Sequence, residues 1–466
     1  MEQGRYPGKM TDENIREIFA GAGDFNFREL TCGQWTLYAY AIDGLTSGGD
    51  ASEYVVKPIT EHLSADSMEQ LYQKALRGMI YNSVASACED LDSVALKLVN
   101  GFCVILFPEV GAIAFEVKTG EKRSISPPEV EHTAKGAKDA FVETVRSNTS
   151  LVRRHLRTPD LKFYETQVGK HSITNVSVAW IEGVTDITLV ERMKCRLEKM
   201  DTDGFVTPSA VEELITGSRA TAFPLLQYTE RADRFSEGLL AGRVGVLVDG
   251  IPLGYLAPVD LGVLMESPED WGRDFVSASC IRILRYGALL LSLLLPGLFI
   301  AMATFHQEMI PLPLLRAIIE SKESVPFSTT FEVLLLLLAF EILQESGVHL
   351  PASIGQSVSI IGGIVVGTAA VEAKLISPAA LIVVSVAGVC GYVLPNRDFA
   401  DGIRVWRFAL AGLSAIAGLF GWTVGFLILI IHLSFLTSLD VAYLSPFSKG
   451  RSVSLLRGIK KQGDKK

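Results

Sequence analysis

The sequence predicts an α/β region with two subdomains, followed by an all-α membrane domain of about six helices (five to six). Two observations support this prediction. Hydrophobic residues make up 48% of the chain and charged residues only 20%, with a mean hydropathy of +0.31, which is unlike the balance of a wholly soluble protein. Apolar runs long enough to cross a bilayer begin only near residue 284, whereas earlier runs are short and change between helix and strand periodicity.

The first 283 residues are predicted to fold in water as two subdomains, residues 1–100 and, with a connector, residues 101–283. Their apolar periodicity predicts, in chain order, a strand at 33–43, helices at 51–62 and 66–79, strands at 101–107 and 111–117, helices at 134–147 and 149–157, strands at 161–168 and 173–181, a helix at 186–200 and two strands around Asp249-Gly250. Asp-Gly between two apolar runs is the strongest hairpin signal in the chain. No internal repeat is evident.

The membrane domain, residues 284–446, is predicted from five long apolar stretches. They cover 285–305, 328–347, 354–371, 376–395 and 404–444. The last stretch is about 40 residues long, which at ~1.5 Å per residue is enough to cross twice, with the reversal at Gly418 and Gly421. Runs this long without alternation indicate helices, because a backbone in lipid must satisfy its own hydrogen bonds.

Basic residues predict the orientation of these spans. The tail, residues 447–466, holds seven Lys and Arg residues against Asp464, and Arg397, Arg404 and Arg407 cluster around the loop between the fourth and fifth stretches. Loops rich in Lys and Arg stay on the cytoplasmic side. Six spans place the N-terminal region, this cluster and the tail on that side, whereas five spans would put the basic tail outside, so we favour six.

Several function classes find no support in the sequence. A net charge of −9 argues against a chain-wide role in nucleic-acid binding. The six cysteines and the histidines are scattered, so no metal site or disulfide framework is predicted, and the first half is expected in a reducing, cytosolic setting. Asp201 and Asp203 begin like a calcium loop but lack the further ligands, which indicates a polar turn. No cleavable secretion signal is expected at the N-terminus. Because the sequence offers no recognisable catalytic or cofactor motif, the chain is predicted not to be an enzyme.

Acidic residues in the second apolar stretch are the first candidates for function. A carboxylate in hydrocarbon costs several kcal/mol, so it must face protein or water. Glu341 and Glu345 are four residues apart and share one helix face, whereas Glu332 lies roughly on the opposite side. We expect Glu341 and Glu345 to face an aqueous vestibule; the alternative is that they are charges at the headgroup level without a specific role.

Two further segments are candidates for a pore and its mouth. His306 and Glu308 follow the first span directly, before a short amphipathic piece, and they fit a pore mouth or, alternatively, a polar loop with an interfacial helix. Gly363, Gly367 and Thr368 give the third span a small, weakly polar face. This face fits either a narrow pore in an oligomer or ordinary close packing of helices, as does the G-x-x-x-G pair in the last stretch.

Long motifs in both halves resemble one known family. They are EKRSISPPE, AFVETVRSNTSLVRRHLRTPDL, QYTERADR, GRVGVLVDG and ESPEDW in the first half, and TFHQEMIPLPLL, VPF and FEILQESGVHLPASIGQSVSIIGGIVVGTAAVEAKLISPA in the second. The chain resembles the A subunit of GerA-type spore-germination receptors over about residues 28–448. It departs from the usual pattern at Leu312, Gln344 and His349 and in the run YLSPFSK, which leaves open which receptor paralogue it is.

The resemblance implies a location, partners and a function. Such subunits lie in the inner membrane of bacterial endospores with a cytoplasmic N-terminal region. They work with a transporter-like B subunit that binds the germinant and with a C-subunit lipoprotein. The resemblance also implies that the A subunit forms an oligomer that acts as a nutrient-gated ion channel. A related protein, the stage V sporulation AF-type subunit, is an accessory part of the machinery that releases dipicolinic acid, and this assignment stays open.

Taken together, the residues and the resemblance predict a membrane subunit that passes small cations when a partner reports a nutrient. A membrane-anchored signalling scaffold that conducts nothing is the main rival. A secondary transporter acting alone is disfavoured, because the chain lacks two matching halves with paired broken helices.

Overall fold

The chain divides into two compact units. The structure is a computed structural model that describes residues 5–61, 63–80, 82, 84–118, 128, 131, 136–204, 207–217, 221–348 and 367–444. Unit 1 comprises Met1–Arg219 and Leu226–Pro258, and unit 2 comprises Ala220–Leu225 and Val259–Lys466. Unit 1 contains two β-sheets and unit 2 is mainly helical. The domain boundaries expected at residues 100, 283 and 446 stay predictions.

The first half of unit 1 is a five-stranded sheet with strand order β1-β2-β4-β5-β3, in which all pairings of the described strands are antiparallel. Its elements are α1 Asp12–Ile18, β1 Phe25–Cys32, β2 Trp35–Ile42, α2 Gly48–Ala51, α3 Lys57–Glu61, α4 Met68–Lys74, β3 Ala85–Cys88, α5 Leu91–Val99, β4 Phe102–Phe107 and β5 Gly111–Glu116. All side chains of β4 are buried, because apolar residues pack on both faces of the sheet.

The second half of unit 1 is another five-stranded antiparallel sheet, with order β6-β7-β9-β10-β8. Its elements are α6 Val145–His155, β6 Leu161–Val168, β7 Thr174–Ile181, α7 Ile187–Glu198, α8 Pro208–Thr216, β8 Gln227–Thr229, α9 Ala232–Leu240, β9 Val244–Val248 and β10 Gly254–Ala257. The buried side chains of α6, α9 and the strands form one apolar core.

The two halves of unit 1, called subdomains 1 and 2 below, have the same topology. Relabelling β1–β5 as β6–β10 converts one strand order into the other, and a helix precedes the first strand of each half. The turn after the second strand repeats in sequence, as IDGLTS at 42–47 and IEGVTD at 181–186. Gly44 and Gly183 occupy equivalent places there with φ of 80° and 77°, a region that favours glycine. The expectation of no internal repeat was therefore wrong, because the shared element pattern carries little shared sequence.

Most predicted elements of unit 1 are present, and one is wrong. The hairpins of β4 with β5 and of β9 with β10 form where they were expected. The helix expected at 134–147 is absent over the described residues 136–144, and a single helix, α6, replaces the two that were predicted. Asn148 explains this boundary, because its amide side chain bonds both the N–H and the carbonyl of Val142, which takes these backbone groups out of a helical hydrogen-bond pattern.

Unit 2 consists of helices with a small β-hairpin near the end of the described chain. Its elements are α10 Leu261–Leu264, α11 Phe275–Thr304, α12 Leu312–Lys322, α13 Thr329–Val348, α14 Pro378–Tyr392, α15 Arg397–Phe435, β11 Thr437–Ser438 and β12 Val441–Ala442, with 3-10 turns at Pro268–Gly272 and Gln307–Met309. Residues 367–372 are also helical.

α15 is a helical hairpin rather than one straight helix. Gly418 leaves helical geometry with φ 58° and ψ −138°. The rings of Trp406 and His432 lie 5.5 Å apart, and a Cβ placed on Gly425 would be 2.8 Å from the Leu410 side chain. The two arms of α15 therefore run antiparallel against each other, with the reversal predicted near Gly418 and with the G-x-x-x-G pair packed inside the hairpin.

The other helices of unit 2 meet at two ends. At one end, called the Asp270 end, Asp270 pairs with Arg285 in the first half of α11. Glu341, in the second half of α13, pairs with Arg404 and Arg407 about midway along the first arm of α15. At the opposite end, called the Glu332 end, Glu332 at the start of α13 bonds Ser377 at the start of α14. A Cβ on Gly418, at the α15 reversal, would lie 2.9 Å from Phe305, just after α11.

By length and composition, two of the described helices could cross a membrane, namely α11 and α15, and α14 is a shorter apolar helix. The predicted count of six spans is not confirmed. The third expected span, 354–371, lies mainly outside the described residues.

Candidate functional site

A charged cluster joins α13 to the first arm of α15. The two carboxylate oxygens of Glu341 accept hydrogen bonds from Arg407 Nη2 at 2.7 Å and from Arg404 Nη1 at 2.9 Å. Arg404 also bonds Gln344 at 2.8 Å and pairs with Asp401. Glu341 and Gln344 lie one turn apart on α13, as Arg404 and Arg407 do on α15, so one turn of each helix faces the other. We call these five residues the Glu341 cluster.

Arg407 is the buried member of the Glu341 cluster. Its side chain is 2% exposed, compared with 22% for Glu341 and 26% for Arg404. Its Nε is buried and has no hydrogen-bond partner. A buried guanidinium is costly unless its charge is compensated, so Glu341 is the group that makes this position tolerable for arginine. Two carboxylates and two guanidinium groups leave the cluster formally neutral.

Glu332 connects the opposite end of α13 to the start of α14. Its side chain is fully buried and accepts hydrogen bonds from the N–H of Ser377 at 3.0 Å and from its hydroxyl at 2.7 Å. Ser377 is the N-cap of α14, so the carboxylate lies at the positive end of that helix. Lys322 of α12 lies 3.6 Å from the second carboxylate oxygen. Glu332 and Glu341 therefore bind different neighbours, in keeping with the predicted separation of their faces.

The other residues predicted for a pore are only partly brought together. Glu345 lies one turn beyond Glu341 and is exposed. Gly363 lies outside the described residues. Gly367 is buried, and a Cβ on it would be 2.8 Å from Leu381 of α14, whereas Thr368 is exposed. For Gly367 the contact is one of close helix packing. The assignment of these residues to a pore stays a prediction.

The two residues predicted for a pore mouth do lie together. His306 Nδ1 is 3.3 Å from Glu308 Oε1 in the turn between α11 and α12. A hydrogen bond from its own backbone amide and the contact with His306 lower the pKa of Glu308 below its usual 4.5. The carboxylate is 71% exposed, so the pair is open to a ligand or ion at the Glu332 end.

Sequence reasoning missed the partners of Glu341. Arg404 and Arg407 entered the prediction only as basic loop residues that set orientation, yet both lie within α15. Their spacing of three residues on an otherwise apolar helix was the available signal, since lone buried charges are expected to seek a partner. Among the described residues, no group of three or more His, Cys, Asp and Glu side chains is arranged to hold a metal ion.

The family model and the relatives that match this chain agree on one protein family. Residues 13–460 match the family model described as Bacillus/Clostridium GerA spore germination protein. "Spore germination protein KA" of Bacillus subtilis (strain 168) is 33% identical over 442 residues, 95% of this chain and 79% of that protein. "Spore germination protein A1" of the same organism is 33% identical over 423 residues, 90% of this chain and 86% of that protein.

The chain is also similar to a membrane protein and to one solved domain structure. "Uncharacterized membrane protein YfkQ" of Bacillus subtilis (strain 168) is 33% identical over 438 residues, 94% of this chain and 85% of that protein. Among solved structures, the N-terminal domain of the A subunit of the Bacillus megaterium spore germinant receptor GerK3 matches with a TM-score of 0.41 and 22% identity, covering 52% of this chain and 91% of that one.

Proposed function

The chain belongs to the GerA spore germination protein family, which supports a role in spore germination, and from this premise we propose that it is the membrane subunit of a nutrient germinant receptor in bacterial spores. In this proposal the subunit forms a homo-oligomer that acts as a nutrient-gated cation channel. The observation that carries the membrane part is the surface of unit 2. Large apolar side chains are exposed along its helices, among them Leu291, Leu338, Val389, Ile416 and Phe420, and a surface of this kind needs lipid or another subunit to cover it.

The directions of the helices favour six crossings over five. α11 runs from the Asp270 end to the Glu332 end, α13 runs back, and α14 again ends at the Asp270 end, followed by the two arms of α15. α13 therefore finishes at the Asp270 end, while α14 starts at the opposite end. A sixth crossing between residues 348 and 377, as predicted for 354–371, would connect them. Each arm of α15, at ~1.5 Å per residue, is about 25–30 Å long, close to the thickness of a bilayer core.

Orientation and partners follow from the charge pattern and the family. The basic tail and Arg397 favour a cytoplasmic Asp270 end, with the N-terminal region on the same side. The proposed location is the spore inner membrane. The proposed partners are a transporter-like B subunit that binds the germinant and a C-subunit lipoprotein, together with further copies of this chain. No enzymatic activity, metal or cofactor forms part of the proposal.

Within the proposed channel, the predicted residues take different roles. Glu345 and Thr368 are exposed and are the candidates to meet permeating cations, together with Gly363 and Gly367 on the predicted third span. Glu341 has both carboxylate oxygens bound by guanidinium groups, so it belongs to the gate rather than to the lining. His306 and Glu308 remain the candidates for the mouth at the Glu332 end.

Cation flux through liposomes that contain the purified receptor complex tests the proposal. We expect a nutrient-dependent flux, and we expect Glu345→Lys to shift the reversal potential towards anions. Glu320→Lys is the matched control, because it makes the same charge change at an exposed carboxylate of α12 outside the proposed pore. A complex that assembles but conducts nothing would contradict the channel and favour the signalling scaffold.

An accessory role in dipicolinic-acid release is the second candidate. It rests on the similarity of the accessory subunit to the receptor A subunits. Loss of the response to one nutrient when this chain is deleted supports the receptor role. Normal responses to nutrients combined with slow release of dipicolinic acid support the accessory role.

A further inference from the structure

The Glu341 cluster connects two helices whose charged residues are far apart in sequence. Glu341 and Arg407 are separated by 66 positions, and Glu341 and Arg404 by 63. Each of the two helices contributes one turn to the contact. The cluster therefore fixes both the register and the distance between α13 and the first arm of α15 about midway along that arm.

The chemistry of the Glu341 cluster makes it a poor site for a permeating cation. Both oxygens of Glu341 already accept charge-assisted hydrogen bonds, which are shorter and stronger than neutral ones. A cation that approached Glu341 would meet Arg404 and Arg407 on the same carboxylate. Since two guanidinium groups balance the two carboxylates, no net negative charge remains to attract it.

The same hydrogen bonds and charges hold α13 and α15 together at the Glu341 cluster. Arg407 is 2% exposed, so it cannot exchange Glu341 for water where it lies. Movement of α13 away from α15 would leave that guanidinium buried without its counter-charge, which is strongly unfavourable. The two helices are therefore held together at the Glu341 cluster unless Arg407 reaches another acceptor.

We propose that Glu341 is a positioning residue of the channel, which holds α13 against the α15 hairpin through Arg407 and keeps the channel closed without itself binding permeating ions. This inference rests on the proposed function for its conduction part only. The pairing that it requires is also measurable in protein that conducts nothing.

The first experiment measures the pairing in the detergent-solubilised full-length chain. Glu341→Gln leaves Arg407 buried without a counter-charge, so the midpoint of thermal unfolding should fall by about 5–10 °C. The exchange variant Glu341→Arg with Arg407→Glu should recover at least half of that loss. Glu320→Gln, at an exposed carboxylate of the same unit, should leave the midpoint unchanged. Equal midpoints for Glu341→Gln and Glu320→Gln would overturn the inference.

The second experiment separates positioning from ion binding in liposomes that contain the receptor complex. Glu341→Gln should raise the flux without nutrient at least about threefold, while the reversal potential stays that of the wild type. The exchange variant should bring this leak back towards the wild-type value. A changed reversal potential in Glu341→Gln would place the carboxylate in the ion path and overturn the inference.

The two experiments fail in different ways. If the wild-type complex conducts nothing but the exchange variant restores stability, the channel proposal fails, whereas the pairing of α13 with α15 through Glu341 and Arg407 is confirmed. If the wild type conducts and Glu341→Gln changes neither stability nor leak, the channel stands and the positioning role fails.

Discussion

The two subdomains of unit 1 share a topology, but the same helix and strand surface is buried in subdomain 2 and exposed in subdomain 1. In subdomain 2, Arg153 lies two residues before the end of α6, over the ring of Phe163 at 5.2 Å. Both are almost fully buried, because subdomain 1 places Asp24 on Arg153 with hydrogen bonds of 2.6 and 2.7 Å. A loop of the first repeat thus completes the core of the second.

In subdomain 1 the equivalent surface is open. Arg16 lies two residues before the end of α1, 3.7 Å over the ring of Phe27, and Phe27 is 50% exposed. The side chain equivalent to Asp24 is Asp160, directly before β6, and it pairs with the exposed Arg5. One local arrangement, an arginine on a phenylalanine at the start of a strand, is therefore part of a core in one repeat and part of the surface in the other. The contribution of this arrangement to stability therefore depends on its burial and not on its local geometry.

The largest expected effect is the removal of the charge from Asp24. Asp24→Asn leaves Arg153, 1% exposed, without a counter-charge in the interior, so we expect a loss of about 3–5 kcal/mol in the free energy of unfolding. The equivalent change in the other repeat, Asp160→Asn, removes a pair whose arginine is 57% exposed and should cost at most about 1 kcal/mol. Thermal unfolding of the purified full chain measures both. Similar losses would mean that the repeats do not differ as their burial indicates.

A smaller effect is expected at the repeated turn. Gly44→Ala and Gly183→Ala both place a Cβ at positive φ, which costs about 1 kcal/mol in each. At Gly44 the new Cβ would also overlap the hydroxyl of Ser150, whereas around Gly183 nothing lies within 4 Å. We expect Gly44→Ala to cost about 1–3 kcal/mol more than Gly183→Ala, because the subdomains must move apart. Equal unfolding midpoints for the two variants would show that Ser150 makes room without cost.

The smallest effect is a pH dependence confined to subdomain 2. Its α6 ends in His155, whereas α1 ends in Ile18, which does not titrate. The hydrogen bond between His155 and Asp139, 2.7 Å long, raises the pKa of His155 above 6.5 and lowers that of Asp139 below 3.8. The contribution of the pair to stability is lost as pH rises through the raised pKa of His155, and also as pH falls through the lowered pKa of Asp139.

The stabilisation by this pair is therefore complete between about pH 4 and 6.5, the ordinary values of the two groups. Because both side chains are partly exposed, at 28% and 21%, it should not exceed about 1 kcal/mol. Unfolding midpoints of the wild type and His155→Gln, measured from pH 4 to 9, should converge at the alkaline end. A constant difference between them would exclude the ion pair as its cause.

Part of the fold follows from local patterns in the sequence. The apolar runs of β4 and β9 and the turns beside them predicted their hairpins, because the period of a strand and the chemistry of a turn are local properties. The helix expected at 134–147 is absent up to residue 144 because the side chain of Asn148 bonds the backbone of residue 142, a contact that hydropathy does not encode. The reversal at Gly418 was predictable from the length of the last apolar stretch and from a glycine near its middle.

The candidate site was predicted less completely. Glu341 was recognised as a carboxylate that must face protein or water, but its partners on α15 were not identified. The sequence also gave no sign that the arrangement of Arg153 and Phe163 is buried while that of Arg16 and Phe27 is open. Each of these outcomes depends on an element that arrives from elsewhere in the chain.

By itself the sequence determined the division into a polar half and an apolar half, the periods of its helices and strands, and the family, because composition, periodicity and motifs are properties of consecutive residues. Only the tertiary structure decided which arginines receive Glu341 and which of two equivalent arginines is buried. Pairing across space depends on helix register and on the distance between elements. A charge pair contributes strongly to stability only where neighbouring elements exclude water.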